Sequence, residues 1–153
     1  MQRLIHLFKY ENKTHLRHIF AYLINQFLES APLKIRTYDC LVPIPLSSAR
    51  FRERSYNQSE LLARLLSKTH GISLSEKNLI RIRHTPNQAL LRKKERWTNI
   101  QGAFRIKNPL SFKNKSVLLL DDLLTTGATV SEAAKALKEN GALSVDVLTL
   151  SIA

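Results

Sequence analysis

The sequence has a single cysteine, no long apolar run and few acidic residues. Because Cys40 stands alone, an intramolecular disulfide and a metal site built from several cysteines of this chain are excluded. A lone thiol in an apolar run is typical of a buried, unreactive side chain, and it fits a reducing, cytoplasmic location. No apolar run approaches the roughly 18 residues of a membrane span, and the N-terminus has no signal-peptide segment, so neither is expected.

Basic residues outnumber acidic ones by two to one. The chain has 24 Lys and Arg against 12 Asp and Glu, a formal net charge of +12 and a pI near 10.2. Such an excess favours an anionic partner, which would be nucleic acid, a phosphorylated metabolite or an anionic membrane. The alternative is a soluble basic protein without a polyanionic partner. A length of 153 residues with 44% hydrophobic residues predicts one domain, 1–153, with a real core.

The hydrophobic pattern alternates between helical and strand-like segments. Apolar residues at three- and four-residue steps predict helices over 14–29, 57–68 and 129–139. Short apolar runs predict strands over 38–46, 77–83, 103–106, 117–120 and 144–152, the first of which leaves the sheet at its two prolines. The last strand, helix and strand form a predicted βαβ unit. The polar, basic segment 84–101 is predicted to be a long loop, or a loop with a helical turn.

The most specific stretch is VLLLDDLLTTGAT, residues 117–129. The strand is predicted to end at Leu120, and a loop over 121–128 leads to a helix that begins near Thr129. Ligands of open α/β sheets bind beyond the carboxyl ends of the strands, and a helix N-terminus offers unpaired N–H groups and a positive dipole end. These groups are predicted to bind one phosphate. The residues concerned are Thr125, Thr126, Gly127, Ala128 and Thr129.

Two adjacent acids, Asp121 and Asp122, precede this turn and would repel a phosphate. The vicinal hydroxyls of a ribose suit them, because a carboxylate accepts O–H hydrogen bonds well. Phosphate and diol together indicate ribose 5-phosphate, and Mg²⁺ is a second use for the two carboxylates. The alternative is an ordinary turn in which Thr129 caps the helix. A Walker loop and a dinucleotide fingerprint are excluded, because no Gly-Lys pair follows and the stretch has one glycine.

Several segments resemble known families. VLLLDDLLTTGAT resembles the phosphoribosyl-pyrophosphate (PRPP) signature of type I phosphoribosyltransferases. VPIPLSSARFRERSYNQSELLA (42–63) and RIRHTPNQALLRKKERWTNIQGAF (81–104) resemble segments of the ComF/GntX family. IHLFKYENK (5–13) resembles the Ile-x-x-x-Lys-Tyr segment at the start of that family's domain. The blocks occur in the family's order over nearly the whole chain.

The resemblance implies an α/β, Rossmann-like type I phosphoribosyltransferase fold with a central, mostly parallel sheet, flanking helices and a small hood. It assigns the 5-phosphate to 125–129 and the ribose hydroxyls to Asp121 and Asp122 as catalytic residues. A second loop would hold pyrophosphate with Mg²⁺, and its matching positions are Leu46, Ser47, Ser48 and Ala49. A mobile lid is assigned to 84–99, with the cations Arg92, Lys93, Lys94 and Arg96.

A basic cluster follows the proposed pyrophosphate loop. Arg50, Arg52 and Arg54 are spaced by two, so an extended segment would present them on one face. Their alternative is an ordinary solvated surface. Asn57 and Gln58 are either a helix N-cap and its neighbour or residues of the site.

The resemblance implies a PRPP-dependent transferase with an unknown acceptor, associated with competence and DNA uptake. The alternative is a non-catalytic accessory protein that binds single-stranded DNA and competence proteins, such as a helicase or a DNA-processing protein. Many family members begin with a four-cysteine zinc ribbon. With Cys40 alone, no zinc is expected in this chain, and the ribbon is either naturally absent or lost by truncation of the start.

Overall fold

A computed structural model describes residues 2–11, 13–31, 33–83 and 93–152 of the chain. Its main sheet has four strands in the order β2-β1-β5-β6, and every neighbouring pair is parallel. These strands are β1 (Cys40–Pro43), β2 (Ser73–Leu74), β5 (Ser116–Leu124) and β6 (Ser144–Ile152). The strands β3 (Leu79–Arg81) and β4 (Phe104–Ile106) form a separate antiparallel pair. The parallel sheet confirms the predicted α/β class.

Helices cover both faces of the main sheet. They are α1 (Gln2–Tyr10), α2 (Leu16–Ser30), α3 (Ser48–Arg54), α4 (Gln58–His70), α5 (Lys93–Ile100) and α6 (Ala128–Glu139). The buried side chains of α1, α2 and α4 form one core cluster, and those of α6, the end of α5 and the β3-β4 pair form the other. None of the helices in the described ranges is long and apolar enough to cross a bilayer.

Strand β5 lies between the two core clusters. Val117 and Leu119 belong to the cluster of α6, whereas Leu118 and Leu120 belong to that of α1, α2 and α4, and all four are fully buried. Successive side chains leave a strand on opposite faces, so a central parallel strand must be apolar on both. This requirement explains the unbroken apolar run in the sequence.

The helices with strong hydrophobic periodicity were predicted close to their observed bounds, whereas the polar helix α3 was not predicted. Helices α2, α4 and α6 lie within two residues of the predicted bounds at each end, and Gly71, with φ of +69°, ends α4. No helix was predicted for 2–10 or for 48–54. Helix α3 buries none of its residues, so it has no apolar face from which periodicity could reveal it.

Candidate functional site

Strand β5 continues through the two acids, which corrects the prediction that it ends at Leu120. Its pairing with β6 extends to Leu124, opposite Ile152. Asp121 and Asp122 therefore lie in a strand and not in a loop. Because neighbouring side chains of a strand project in opposite directions, the two carboxylates do not form one clamp, and each has its own partners.

Asp121 is partly buried at the carboxyl end of the sheet. Its Oδ1 accepts hydrogen bonds from Ser59 Oγ at 3.3 Å and from the Asp122 backbone N–H at 2.9 Å. Burial, with the charge of Asp122 as the second cause, raises the pKa of Asp121 to about 7, although its hydrogen bonds and Lys9 oppose this shift. Carboxylates that titrate near neutral pH occur most often at functional sites.

The stability of the protein is expected to fall as the pH rises from about 4 to about 7. Folded Asp121 keeps its proton up to a pKa of about 7, whereas its ordinary pKa is 3.8. The folded state therefore binds more protons in this window, and its advantage is lost as the pH rises through the folded pKa. Urea unfolding at several pH values, with Asp121→Asn for comparison, measures this contribution. An identical pH slope in the variant would show that Asp121 is not the responsible group.

Asp122 is buried, with 7% of its surface exposed, and forms an ion pair with Lys9. Lys9 Nζ lies 2.8 Å from Asp122 Oδ1 and comes from the last turn of α1. The sequence analysis did not assign Lys9 to the site. Its position as the lysine of the Ile-x-x-x-Lys-Tyr segment was the feature that could have revealed it.

A short turn over 125–127 joins β5 to α6. Gly127 is the N-cap of α6 and has φ of +80°, and the Ala128 N–H donates to Thr126 Oγ1 at 3.4 Å. The helix therefore begins at Ala128, and the alternative in which Thr129 caps it is wrong. The turn carries Thr125 and Thr126 beside the first residues of α6, at the edge of the sheet where β5 ends.

The turn after β1 reaches the same edge. The Ile44 N–H donates to the Leu120 carbonyl at 2.9 Å, so this turn begins beside Asp121. Leu46 and Ser47 lie in this turn, whereas Ser48 and Ala49 begin helix α3, which corrects the prediction that 46–49 is a loop throughout. Ser47 is buried and caps α3 by accepting a hydrogen bond from the Arg50 N–H at 3.4 Å.

Asn57 and Gln58 hold neighbouring elements in place. Asn57 caps α4 by accepting from the Ser59 N–H at 3.1 Å, and its Nδ2 donates to the Ile44 carbonyl at 2.9 Å. Gln58 is buried and accepts from Arg54 Nη1 at 3.2 Å. Asn57 thus supports the β1 turn and the start of α4, where Ser59 reaches Asp121, and Gln58 connects α4 to α3.

Arg50, Arg52 and Arg54 do not share one face, which corrects the prediction of an extended segment. They lie in helix α3, where each residue is rotated by about 100° from the one before it, so residues two apart lie on nearly opposite sides. Arg52 is exposed, whereas Arg50 and Arg54 are partly buried. Only part of this cluster can therefore turn toward Asp121.

Arg81 is a partly buried cation near Asp121 that the sequence analysis did not single out. Its guanidinium lies 5.8 Å from the centre of the Phe104 ring, across the β3-β4 pair. Burial, followed by the charge of Arg50, lowers the pKa of Arg81 to about 10, while the charge of Asp121 raises it. Arg81 opens the Arg-x-x-x-Thr segment quoted above, and that motif was the available indication.

Most of the predicted lid cannot be compared with the structure. Residues 84–92, including Arg92, lie outside the described residues. Lys93 and Lys94 begin helix α5, and Arg96 is partly buried within it. The prediction for 84–101 was a long loop, or a loop with a helical turn, and in the described part of this segment α5 is a helix of eight residues.

The edge of the sheet offers carboxylates but no closed metal cage. No group of three or more His, Cys, Asp or Glu residues in the described part of the chain could hold a metal ion.

The sequence of the chain matches a known protein family. The family described as "Phosphoribosyl transferase domain" matches residues 43–151. The chain belongs to this family. The match begins at Pro43, the last residue of β1, and includes the turn after that strand, the two acids and the turn before α6.

The relatives of this chain confirm its resemblance to the ComF family. It is 32% identical over 149 residues to "DNA utilization protein YhgH" of Salmonella typhimurium, covering 96% of this chain and 65% of the relative. It is 42% identical over 111 residues to "Competence protein ComFC" of Bacillus subtilis, covering 72% of this chain and 43% of the relative. The chain thus spans less than two thirds of the length of either relative.

A solved structure shows that the fold is that of the phosphoribosyltransferases. The glutamine PRPP amidotransferase of B. subtilis, complexed with ADP and GMP, superposes with a TM-score of 0.57 at 19% identity. The match covers 89% of this chain and 27% of the amidotransferase. The predicted type I phosphoribosyltransferase fold is therefore confirmed.

Proposed function

We propose that this chain binds the phosphoribosyl group of PRPP at the carboxyl edge of its main sheet. The observation that carries the proposal is the position of the α6 N-terminal turn directly after the strand that holds Asp121 and Asp122. The residues Thr125 to Thr129 would hold the 5-phosphate, and Asp121 would accept hydrogen bonds from the ribose hydroxyls.

The phosphate half of the proposal rests on the start of α6. The first N–H groups of a helix have no partner within the helix, and the helix dipole favours an anion there. Gly127 holds a left-handed backbone conformation that turns the chain from β5 into the helix. The Thr126 hydroxyl lies beside these groups, because it accepts from the Ala128 N–H at 3.4 Å, and Thr125 is an exposed hydroxyl of the same turn.

The proposed contact with the ribose hydroxyls rests on Asp121, and Asp122 supports it from the next position of the strand. Asp122 is paired with Lys9, whereas the described hydrogen bonds of Asp121 engage only its Oδ1. The second oxygen of the Asp121 carboxylate suits a diol, since ionised carboxylates form strong hydrogen bonds with hydroxyl groups.

The donor set fits a magnesium ion that arrives with its ligand. Mg²⁺ is usually bound by one or two carboxylates together with substrate phosphates, and Asp121, aided by Asp122, offers that chemistry without an all-protein cage. When bound, Mg²⁺ would neutralise charge on the pyrophosphate. The turn after β1 begins beside Asp121, and its residues Leu46 and Ser47, with Ser48 at the start of α3, would hold this group.

We further propose phosphoribosyl transfer to an acceptor that this chain does not identify. Bond breaking at the ribose C1 gives the ring a positive character and leaves negative charge on pyrophosphate. Arg50 and Arg81 are two nearby cations, and Arg81 is close enough to Asp121 for the carboxylate to raise its pKa, so both would stabilise that charge electrostatically. Arg96 and the neighbouring lid residues would exclude water during the reaction.

The biological setting of the proposal comes from the names of the relatives. These names are "DNA utilization protein" and "Competence protein". We propose that the chain acts in the cytoplasm during DNA uptake, with single-stranded DNA and competence proteins such as a helicase or a DNA-processing protein as partners. The net charge of +12 favours a polyanionic partner.

Calorimetry with PRPP and Mg²⁺ tests the proposal, and Gly127→Ala locates the site. Binding to the wild-type chain is expected. Gly127→Ala should cost about 1 kcal/mol of stability and weaken binding, because alanine disfavours the left-handed turn that presents the N–H groups. The added Cβ meets nothing within 4 Å, so the effect is conformational and not a clash.

Gly71→Ala is the matched control for this experiment. Gly71 also has a positive φ, +69°, with open space around its Cβ, but it ends α4 away from the turn. It should lose similar stability and keep its affinity for PRPP. Equal losses of affinity in both variants would contradict the phosphate assignment. No heat with wild-type protein would reject PRPP binding and leave the accessory role.

A further inference from the structure

We infer that Lys9 is a positioning residue for the proposed ribose site and acts on it through Asp122. The inference rests on the proposed function of Asp121 and of the turn over 125–129. Lys9 comes from α1, whereas Asp122 lies in β5, and the two side chains meet at 2.8 Å. Residues 43–151, which match the phosphoribosyltransferase family, do not include Lys9.

The ion pair is enclosed by the protein. The side chains of Lys9 and Asp122 are 15% and 10% exposed, whereas Arg64, which pairs with Glu60 and Glu76, is 53% exposed. Charges that are shielded from water interact more strongly than charges at the surface. The Lys9–Asp122 pair therefore keeps its two side chains in a fixed relative position, which an exposed pair does only weakly.

Helix α1 supplies Lys9 from a fixed position. Phe8, the preceding residue, is fully buried, and its ring centre lies 5.3 Å from that of Phe20. The Phe8 carbonyl accepts hydrogen bonds from the Tyr56 hydroxyl and from Gln58 Nε2, close to the start of α4. Lys9 is thus attached to the same elements that place Ser59 beside Asp121.

The charge of Lys9 has a direct consequence for an anionic ligand. Asp121 and Asp122 are adjacent carboxylates, and a phosphorylated sugar that approaches them would meet two negative charges. Lys9 offsets the charge of Asp122. The Asp122 backbone N–H also donates to Asp121 Oδ1 at 2.9 Å, so the placement of Asp122 affects the carboxylate proposed to bind the ribose.

Calorimetry with ribose 5-phosphate, supported by a double-mutant comparison, tests this role in the full chain. Lys9→Met should weaken the affinity roughly tenfold, because Asp122 is left as an uncompensated charge. Lys9→Met combined with Asp122→Asn should bind no more weakly than Lys9→Met alone, since the charge that Lys9 offsets is then absent. Lys9→Arg should retain most of the affinity.

Lys68→Met is the matched control, because Lys68 also lies in the last turn of a helix but is exposed. It removes one positive charge and should leave the affinity unchanged. Inorganic phosphate serves as a second ligand that lacks the diol. Lys9→Met should weaken the binding of ribose 5-phosphate more than the binding of phosphate, whereas general loosening of the fold would weaken the binding of both ligands alike.

The outcomes separate this inference from the proposed function. If wild-type protein does not bind ribose 5-phosphate, the proposed function fails. If wild-type protein binds, two results would reject the role of Lys9 while the proposed function stands. Either Lys9→Met binds equally well, or the fold losses of affinity caused by Lys9→Met and by Asp122→Asn multiply in the double variant. Should Lys9→Met not fold, Lys9→Gln, which is neutral but polar, takes its place in the same comparisons.

Discussion

An Asp121→Asn variant is expected to lose about a hundredfold or more of its affinity for ribose 5-phosphate while remaining folded. The amide has nearly the same size as the carboxyl group but carries no charge. Hydrogen bonds to a charged group each contribute about 1.5–3 kcal/mol, and a diol would form two of them. Calorimetry measures the affinity, and circular dichroism checks the fold.

The same substitution should not destabilise the protein at alkaline pH. Burial disfavours the charged form of Asp121, whose pKa is raised to about 7, so the neutral amide removes an unfavourable charge. We therefore expect Asp121→Asn to be at least as stable as wild type at about pH 8. Loss of affinity with retained stability would mark Asp121 as a residue kept for binding.

Asp146→Asn is the control for this prediction. Asp146 lies on the neighbouring strand β6, is exposed, and accepts a hydrogen bond from the Tyr38 hydroxyl at 3.0 Å. It removes the same charge and should leave the affinity for ribose 5-phosphate unchanged. If Asp146→Asn weakened binding as much as Asp121→Asn, the effect would come from net charge and the ribose assignment would be wrong.

Phe8→Ala is expected to lower the free energy of unfolding by about 3–5 kcal/mol. The Phe8 side chain is fully buried, and its ring centre lies 5.3 Å from Phe20 and 6.1 Å from Tyr56. Its removal would leave a cavity where α1 and α2 pack with the sheet and would loosen the helix that carries Lys9. Urea unfolding monitored by circular dichroism measures the loss.

Leu4→Ala provides the comparison on the same helix. Leu4 is 38% exposed, so its truncation removes less buried surface and should cost about 1 kcal/mol or less. Phe8→Leu should recover part of the stability that Phe8→Ala loses, because it fills most of the cavity. Equal losses for Leu4→Ala and Phe8→Ala would contradict the placement of Phe8 in the core.

Elements with a strong local pattern were predicted well from the sequence. Helices α2, α4 and α6 have apolar faces of helical period, and β6 was predicted with its observed bounds. Helix α3 was missed because it buries nothing, and β5 was cut short because two acids suggested a loop. Pairing with β6 carries that strand through Asp121 and on to Leu124, and such pairing is not visible in either segment alone.

By itself, the sequence determined the apolar first half of β5 and the helix α6 that follows the signature turn. Capping glycines, apolar runs and helical periodicity act over a few neighbouring residues, so their consequences can be predicted locally. The tertiary structure decided how the two acids differ. Lys9 meets Asp122, and Ser59 meets Asp121, only after α1 and α4 pack against β5, because these contacts join residues that are distant along the chain.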